Sequence, residues 1–221
     1  MQQSWPDALW VVRHGEVRDD ERPGLAGREV DVPLSGPGER QAAALGRWMG
    51  ALRETERPSV LYCSPAVHAQ QTAEIALLEA GLDLPAGVDE RLRERELGVL
   101  QGPGGRGVQE HFPQEAQRHA ALGPFYYRPL GGEAWTDVVL RVRSVLEDVR
   151  RDCAGERVLL VAHQVVVLLV RYVVEAMTED EVLAVDAGGT IAHCSVTSYS
   201  FDPTLGPRGG LRLERFNEVE H

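Results

Sequence analysis

Short apolar runs alternate along the chain with stretches in which apolar positions recur every three or four residues. This alternation predicts an α/β fold: a three-layer domain with a mainly parallel central sheet flanked by helices. Ala8 to Val12 forms the first strand of that reading, Val60-Leu61-Tyr62 the second, and Arg157 to Ala162, rich in branched side chains, a buried later one. Val196 to Phe201 and Leu211 to Phe216 close the chain as strands, with Pro, Gly and Asp between them predicting a hairpin connection. The spacing of Ala42, Leu45, Met49 and Leu52 predicts a helix with Ser35 as candidate N-cap. A second helix spans about Ala66 to Ala80, ends at Gly81 and leads into a short apolar stretch near Val88. Val138, Val142, Val145 and Val149 mark an amphipathic helix, and Val165 to Val174 is apolar enough to be a buried one.

Gly102 to Gly107, with four glycines and a proline in six residues, is no regular element. It lacks the Lys-Ser/Thr ending of a nucleotide-binding loop, so a lid or plain connector is expected there. The 221 residues fit one domain, 1–221, that buries about 70% of its unfolded surface. A net charge of −11 argues against a nucleic-acid groove, although a small pocket can be basic within an acidic protein. No apolar run reaches the ~18 residues that cross a bilayer, and Met1 to Asp7 lacks a signal-peptide pattern, so a cytoplasmic protein without membrane contact is expected. Cys63, Cys153 and Cys194 are odd in number and widely spaced, which suggests reduced thiols rather than a disulfide framework or zinc cluster. Cys63 reads as buried filler beside a strand end.

The chemistry starts at Arg13-His14-Gly15-Glu16, directly after the first strand. A permanently charged Arg beside a neutral imidazole can bind an oxyanion and attack it, although four residues alone do not separate a nucleophile from a structural histidine. His163 also follows a strand. Ligands of open α/β sheets sit beyond the carboxyl ends of the strands, so both imidazoles are expected at one sheet edge, placed to face a single ligand. Glu94, within Arg91-Leu92-Arg93-Glu94-Arg95-Glu96, reads either as an acid or as one charge of a solvated run.

Five segments together resemble the histidine phosphatase superfamily, in its phosphoglycerate-mutase-like branch. They are Arg13-His14-Gly15-Glu16; Asp31-Val32-Pro33-Leu34-Ser35 with Gly38 and Gln41-Ala42; Cys63-Ser64-Pro65 with Gln71-Thr72-Ala73; Leu92-Arg93-Glu94 with Gly98 and Gln101-Gly102; and Val161-Ala162-His163-Gln164. The resemblance implies His14 as nucleophile, Glu94 as proton donor, and Arg13, His163 and the Gln164 backbone N–H as holders of the phosphoryl oxygens. It also implies a substrate-side role for Tyr127 and Arg128, in the segment Tyr126 to Ala134. One position departs: His68 stands where the family carries a second phosphate-binding arginine. Imidazole offers one donor toward a given oxygen and titrates near pH ~6.5, so the clamp is expected to be weaker and pH-dependent, unless His68 merely occupies a drifted surface position. Arg28, after Gly27, is a candidate to replace the missing charge.

Three activities fit these residues. A phosphatase needs only the pocket and water, and is the expected function, acting on a small phosphorylated metabolite. A mutase must also exclude water and hold a bisphosphorylated intermediate in two orientations. Loss of the second arginine also fits a phosphate-ligand binding protein with reduced turnover. No cofactor is implied, and no metal, because the histidines are assigned to phosphate. Family members are often dimers or tetramers, but no surface stripe here marks a homo-oligomer interface.

Overall fold

In the computed structural model, which describes residues 3–18, 32–101 and 110–219, the five predicted strands and the short apolar stretch near Val88 assemble into one six-stranded sheet. The strands are β1 (Ala8–Arg13), β2 (Val60–Cys63), β3 (Ala86–Val88), β4 (Arg157–Ala162), β5 (Val196–Asp202) and β6 (Gly210–Glu218). Their order is β3-β2-β4-β1-β5-β6. β3, β2, β4 and β1 pair in parallel, whereas β5 runs antiparallel to β1 and β6 antiparallel to β5.

Strand alternation decides the layers, because successive side chains leave a strand on opposite faces. Leu9, Val11, Val158, Leu160 and Ala162 pack on one face with helices α4 (Trp135–Asp152) and α5 (Gln164–Val174). Trp10, Val12, Leu61, Cys63, Leu159 and Val161 pack on the other with α1 (Gly36–Ala51) and α2 (Val67–Ala80). Each fully buried Leu or Val there contributes about 1.5–3 kcal/mol of burial against the entropy of ordering it. Ser35 caps α1, its hydroxyl oxygen accepting from the Gly38 N–H at 3.1 Å. Gly81 ends α2 in the left-handed conformation at φ 63°.

Two helices have no counterpart in the sequence pattern. Helix α3 (Pro113–Tyr126) buries only Phe125 and is broken at Gly123-Pro124, so it carries no helical apolar period. Helix α6 (Glu179–Ala187) buries only Val182. The glycine-rich stretch 102–107 lies outside the described residues. No helix among the described residues is long and apolar enough to cross a membrane.

Candidate active site

Three neighbouring parallel strands end in three polar residues that stand side by side. The β1–β4 register pairs Arg13 with Ala162, so the next residues, His14 and His163, leave the sheet together, and the His14 N–H continues the ladder to the Ala162 carbonyl at 2.9 Å. Ser64, just past β2, continues it on the other side of β4 by donating its N–H to Val161 O at 2.9 Å. The ring centroids of His14 and His163 are 4.9 Å apart, and Ser64 Oγ lies 2.7 Å from His163 Nε2. His163 is also the N-cap of α5, so the site sits at that helix's N-terminal end, where N–H groups favour negative charge.

The turn after His14 sets its tautomer. His14 Nδ1 is 2.7 Å from Gly15 O, and a carbonyl only accepts, so Nδ1 carries the proton and Nε2 presents a lone pair. Gly15 N–H donates to Thr72 Oγ1 at 3.0 Å, and the Thr72 hydroxyl donates to His68 O at 2.6 Å. Glu16 N–H donates to Gln41 Oε1 at 2.9 Å, and Leu34 N–H to Gln71 Oε1 at 2.8 Å. Gln41 and Thr72 therefore tie the His14 turn to α1 and α2, and Gln71 holds the Leu34 segment to α2. The turn also passes very close to α1: a Cβ on Gly38 would lie 2.0 Å from Glu16 O, and one on Gly15 would lie 2.7 Å from Gly38 O. Only glycine permits that crossing.

His68 is buried in this site, which corrects the alternative of a drifted surface position. It lies in the first turn of α2, with its ring 4.2 Å from that of His14 and 5.3 Å from that of His163. Its Nδ1–H donates to Val32 O at 2.9 Å, leaving Nε2 as an acceptor. A fourth histidine, His193, has its ring 5.4 Å from that of His14 and donates Nδ1–H to His14 O at 3.0 Å. Sequence reading missed it. It follows no strand and belongs to no quoted motif, and only the antiparallel pairing of β5 with β1 brings the start of β5 to the end of β1. Arg13, from the end of β1, donates through Nη1 to Ile191 O in the same segment. One ring nitrogen each of His14, His68 and His163 lies within 4.8 Å of the other two.

All four imidazoles are driven toward the neutral form. Burial is the largest cause for each; the other histidines add to it at His14, His68 and His163, and Arg13 adds to it at all four. The effect is strongest at His14 and His163, both held well below the ordinary histidine value. Neutral imidazole is the nucleophilic form, so the environment suits attack at neutral pH. Burial, with a smaller contribution from Glu74, pushes the Cys63 thiol up to about 11, which suits inert filler.

Glu94 reaches the same helix end. Its carboxylate accepts from Arg95 N–H at 2.8 Å and from Val165 N–H at 3.5 Å, the latter two residues past His163. Arg141 of α4 holds that loop by donating to the carbonyls of Arg91, Arg93 and Glu94 at 2.7, 2.6 and 3.2 Å, and is itself paired with Glu133. The Gln164 side chain turns toward Asp186 at 3.3 Å, so the main-chain N–H expected of it is the group nearer the helix terminus. The Tyr127 ring is buried with its hydroxyl donating to Glu115 of α3 at 2.7 Å, and the exposed Arg128 pairs with Asp137 of α4. Their contacts thus tie them to helices rather than to the imidazole cluster. Gly27 and Arg28 lie outside the described residues.

Comparison with known proteins agrees with this geometry. The family profile of the histidine phosphatase superfamily (branch 1) matches residues 9–216. A fructose-2,6-bisphosphatase TIGAR B of Danio rerio is 36% identical over 145 residues, covering 63% of this chain and 52% of the relative. The chain spans about half the length of the fructose-2,6-bisphosphatases of this type that it matches. A probable phosphoglycerate mutase GpmB of Salmonella paratyphi A is 30% identical over 219 residues, covering 96% of this chain and 94% of the relative. Among solved structures, a mycobacterial glucosyl-3-phosphoglycerate phosphatase with inorganic phosphate superposes with a TM-score of 0.75 at 25% identity, covering 97% of this chain and 98% of that one. The phosphoglycerate-mutase-like α/β architecture, the paired strand-end histidines and the profile match agree, and the chain belongs to the histidine phosphatase superfamily, branch 1.

Proposed function

We propose that the protein is a phosphomonoester hydrolase that works through a phosphohistidine at His14. The observation that carries this reading is the bond from His14 Nδ1–H to Gly15 O, which directs the Nε2 lone pair away from the turn in a chain of this superfamily. In the proposed reaction His14 Nε2 attacks phosphorus as the bond to the leaving oxygen breaks, and Glu94 gives that oxygen its proton. Arg13 and the Gln164 N–H hold the equatorial oxygens, joined by His163 and His68 once each free ring nitrogen takes up a proton, where preorganised donors act most strongly on developing charge. The Glu94 carboxylate then takes a proton from water, which attacks phosphorus, breaks the P–N bond and frees His14.

The proposed substrate is a small phosphorylated metabolite, of the sugar-phosphate or phosphoglycerate kind named for the relatives, bound by residues 1–221 as a single domain. Turnover is proposed to be weakened, because neutral His68, its Nδ1–H engaged by Val32 O, donates to phosphate only when protonated, where a guanidinium would supply a charged fork at every pH. The test is phosphate release from an aryl phosphate by the parent and by His14→Ala, with acid-labile phosphate on the protein followed in parallel. Release and labelling in the parent alone support the reading, and equal release from both proteins overturns it. Phosphoryl transfer from a bisphosphoglycerate to a monophosphoglycerate faster than hydrolysis would instead favour a mutase.

A further inference from the structure

We infer that His14, His68 and His163 form a binding site for one divalent transition-metal ion of the zinc class. One ring nitrogen of each already lies within 4.8 Å of the other two, and all three residues are buried. Tetrahedral zinc with Zn–N bonds of about 2.0–2.1 Å gathers its ligand nitrogens to about 3.3–3.4 Å. Inward rotation of three rings, carried on two strand ends and one helix start, closes the difference.

The hydrogen bonds of each ring leave one of its nitrogens available. His14 Nδ1–H is bound to Gly15 O and His68 Nδ1–H to Val32 O, so both present Nε2 lone pairs. His163 Nε2 is bound to Ser64 Oγ, which leaves Nδ1 for the ion. Carbonyl or hydroxyl partners of this kind orient metal-binding imidazoles and fix their tautomers.

The ligand set selects the metal. Three imidazoles with no carboxylate or thiolate suit zinc, cobalt, nickel or copper, and do not suit magnesium or calcium, which require oxygen ligands. Arg13 and Arg141 oppose positive charge here, whereas Glu94 beside α5 and Glu16 beside His193 favour it. The fourth position is therefore assigned to an anion, hydroxide or phosphate, next to Arg13. An arginine in place of His68 would remove both a ligand and the vacancy of charge that admits the ion, so the departure from the family pattern creates the site.

Metal binding stands on the imidazole geometry alone. Its consequence rests on the phosphohistidine reading: one lone pair on His14 Nε2 cannot bind metal and attack phosphorus together, so the loaded protein loses turnover. The experiment titrates chelator-stripped protein with Zn²⁺ by calorimetry and with Co²⁺ by visible absorption, in parent, His68→Arg, His163→Ala and His111→Ala, the last an exposed histidine outside the cluster. Folding of each variant is checked by circular dichroism. One ion per chain and a tetrahedral cobalt spectrum are expected in the parent and His111→Ala. Affinity is expected to fall in the other two by more than the ~10–100-fold that loss of an outer hydrogen-bond partner costs. Absence of stoichiometric binding in the parent, or parent-like binding by folded His68→Arg and His163→Ala, overturns the site. Aryl phosphate turnover with and without Zn²⁺ is read separately: a parent that binds metal but never turns over refutes the hydrolase reading and leaves the metal site standing.

Discussion

His68 and His14 stand with their ring centroids 4.2 Å apart, and the same helix start that carries His68 also anchors the turn behind His14 through Thr72. A substitution at position 68 therefore changes a side chain packed directly against the His14 ring. His68→Arg is expected to raise kcat/KM for an aryl phosphate by about tenfold or more, since a hydrogen bond to a charged group is worth about 1.5–3 kcal/mol. Burial lowers the His68 pKa, so its protonated, anion-binding form belongs to the acid side of 6.5 rather than to the neutral range expected from sequence. The ratio of parent to His68→Arg activity should fall as pH rises through that acid range and stay flat above it. A ratio without pH dependence would remove His68 from the phosphate clamp.

Folding stability should fall as the solution is acidified below pH 6.5. His14, His68, His163 and His193 all have folded values below 6.5, so the unfolded chain takes up protons first and is favoured. Stability is full above 6.5 and is lost on the way down, by up to about 1.4 kcal/mol per pH unit for each ring that stays neutral in the fold. Urea denaturation between pH 7.5 and about pH 5 reads this, and His68→Arg should show a shallower loss.

Ser64→Ala should lower both stability and turnover. The hydroxyl lies 2.7 Å from His163 Nε2 in a fully buried position, and its removal leaves a buried ring nitrogen unpaired at a cost of about 1–3 kcal/mol. Thermal melting gives the first effect. A drop in kcat larger than any rise in KM would place the second on the orientation of His163 rather than on substrate binding.

Gly38→Ala should destabilise by about 1–3 kcal/mol or more and abolish turnover, because its Cβ meets the backbone of Glu16 at 2.0 Å. Gly36→Ala is the control in the same helix, with only an Arg40 side-chain atom 3.6 Å away. Equal melting temperatures for the two variants would refute the close crossing of α1 and the His14 turn.

The sequence by itself determined the strands, the helices that bury an apolar stripe, and the two histidines that follow β1 and β4, because periodicity and strand ends are local properties of the chain. Helices α3 and α6 escaped it, since each buries one side chain and leaves no period to read. Only the tertiary structure decided that β4 lies between β2 and β1, which puts Ser64, His163 and His14 in one row. It also decided that antiparallel β5 delivers His193 to the end of β1, and that α2 buries His68 against His14. The imidazoles owe their neutrality to that convergence, because desolvation and mutual repulsion depend on distance in space and not on distance along the chain.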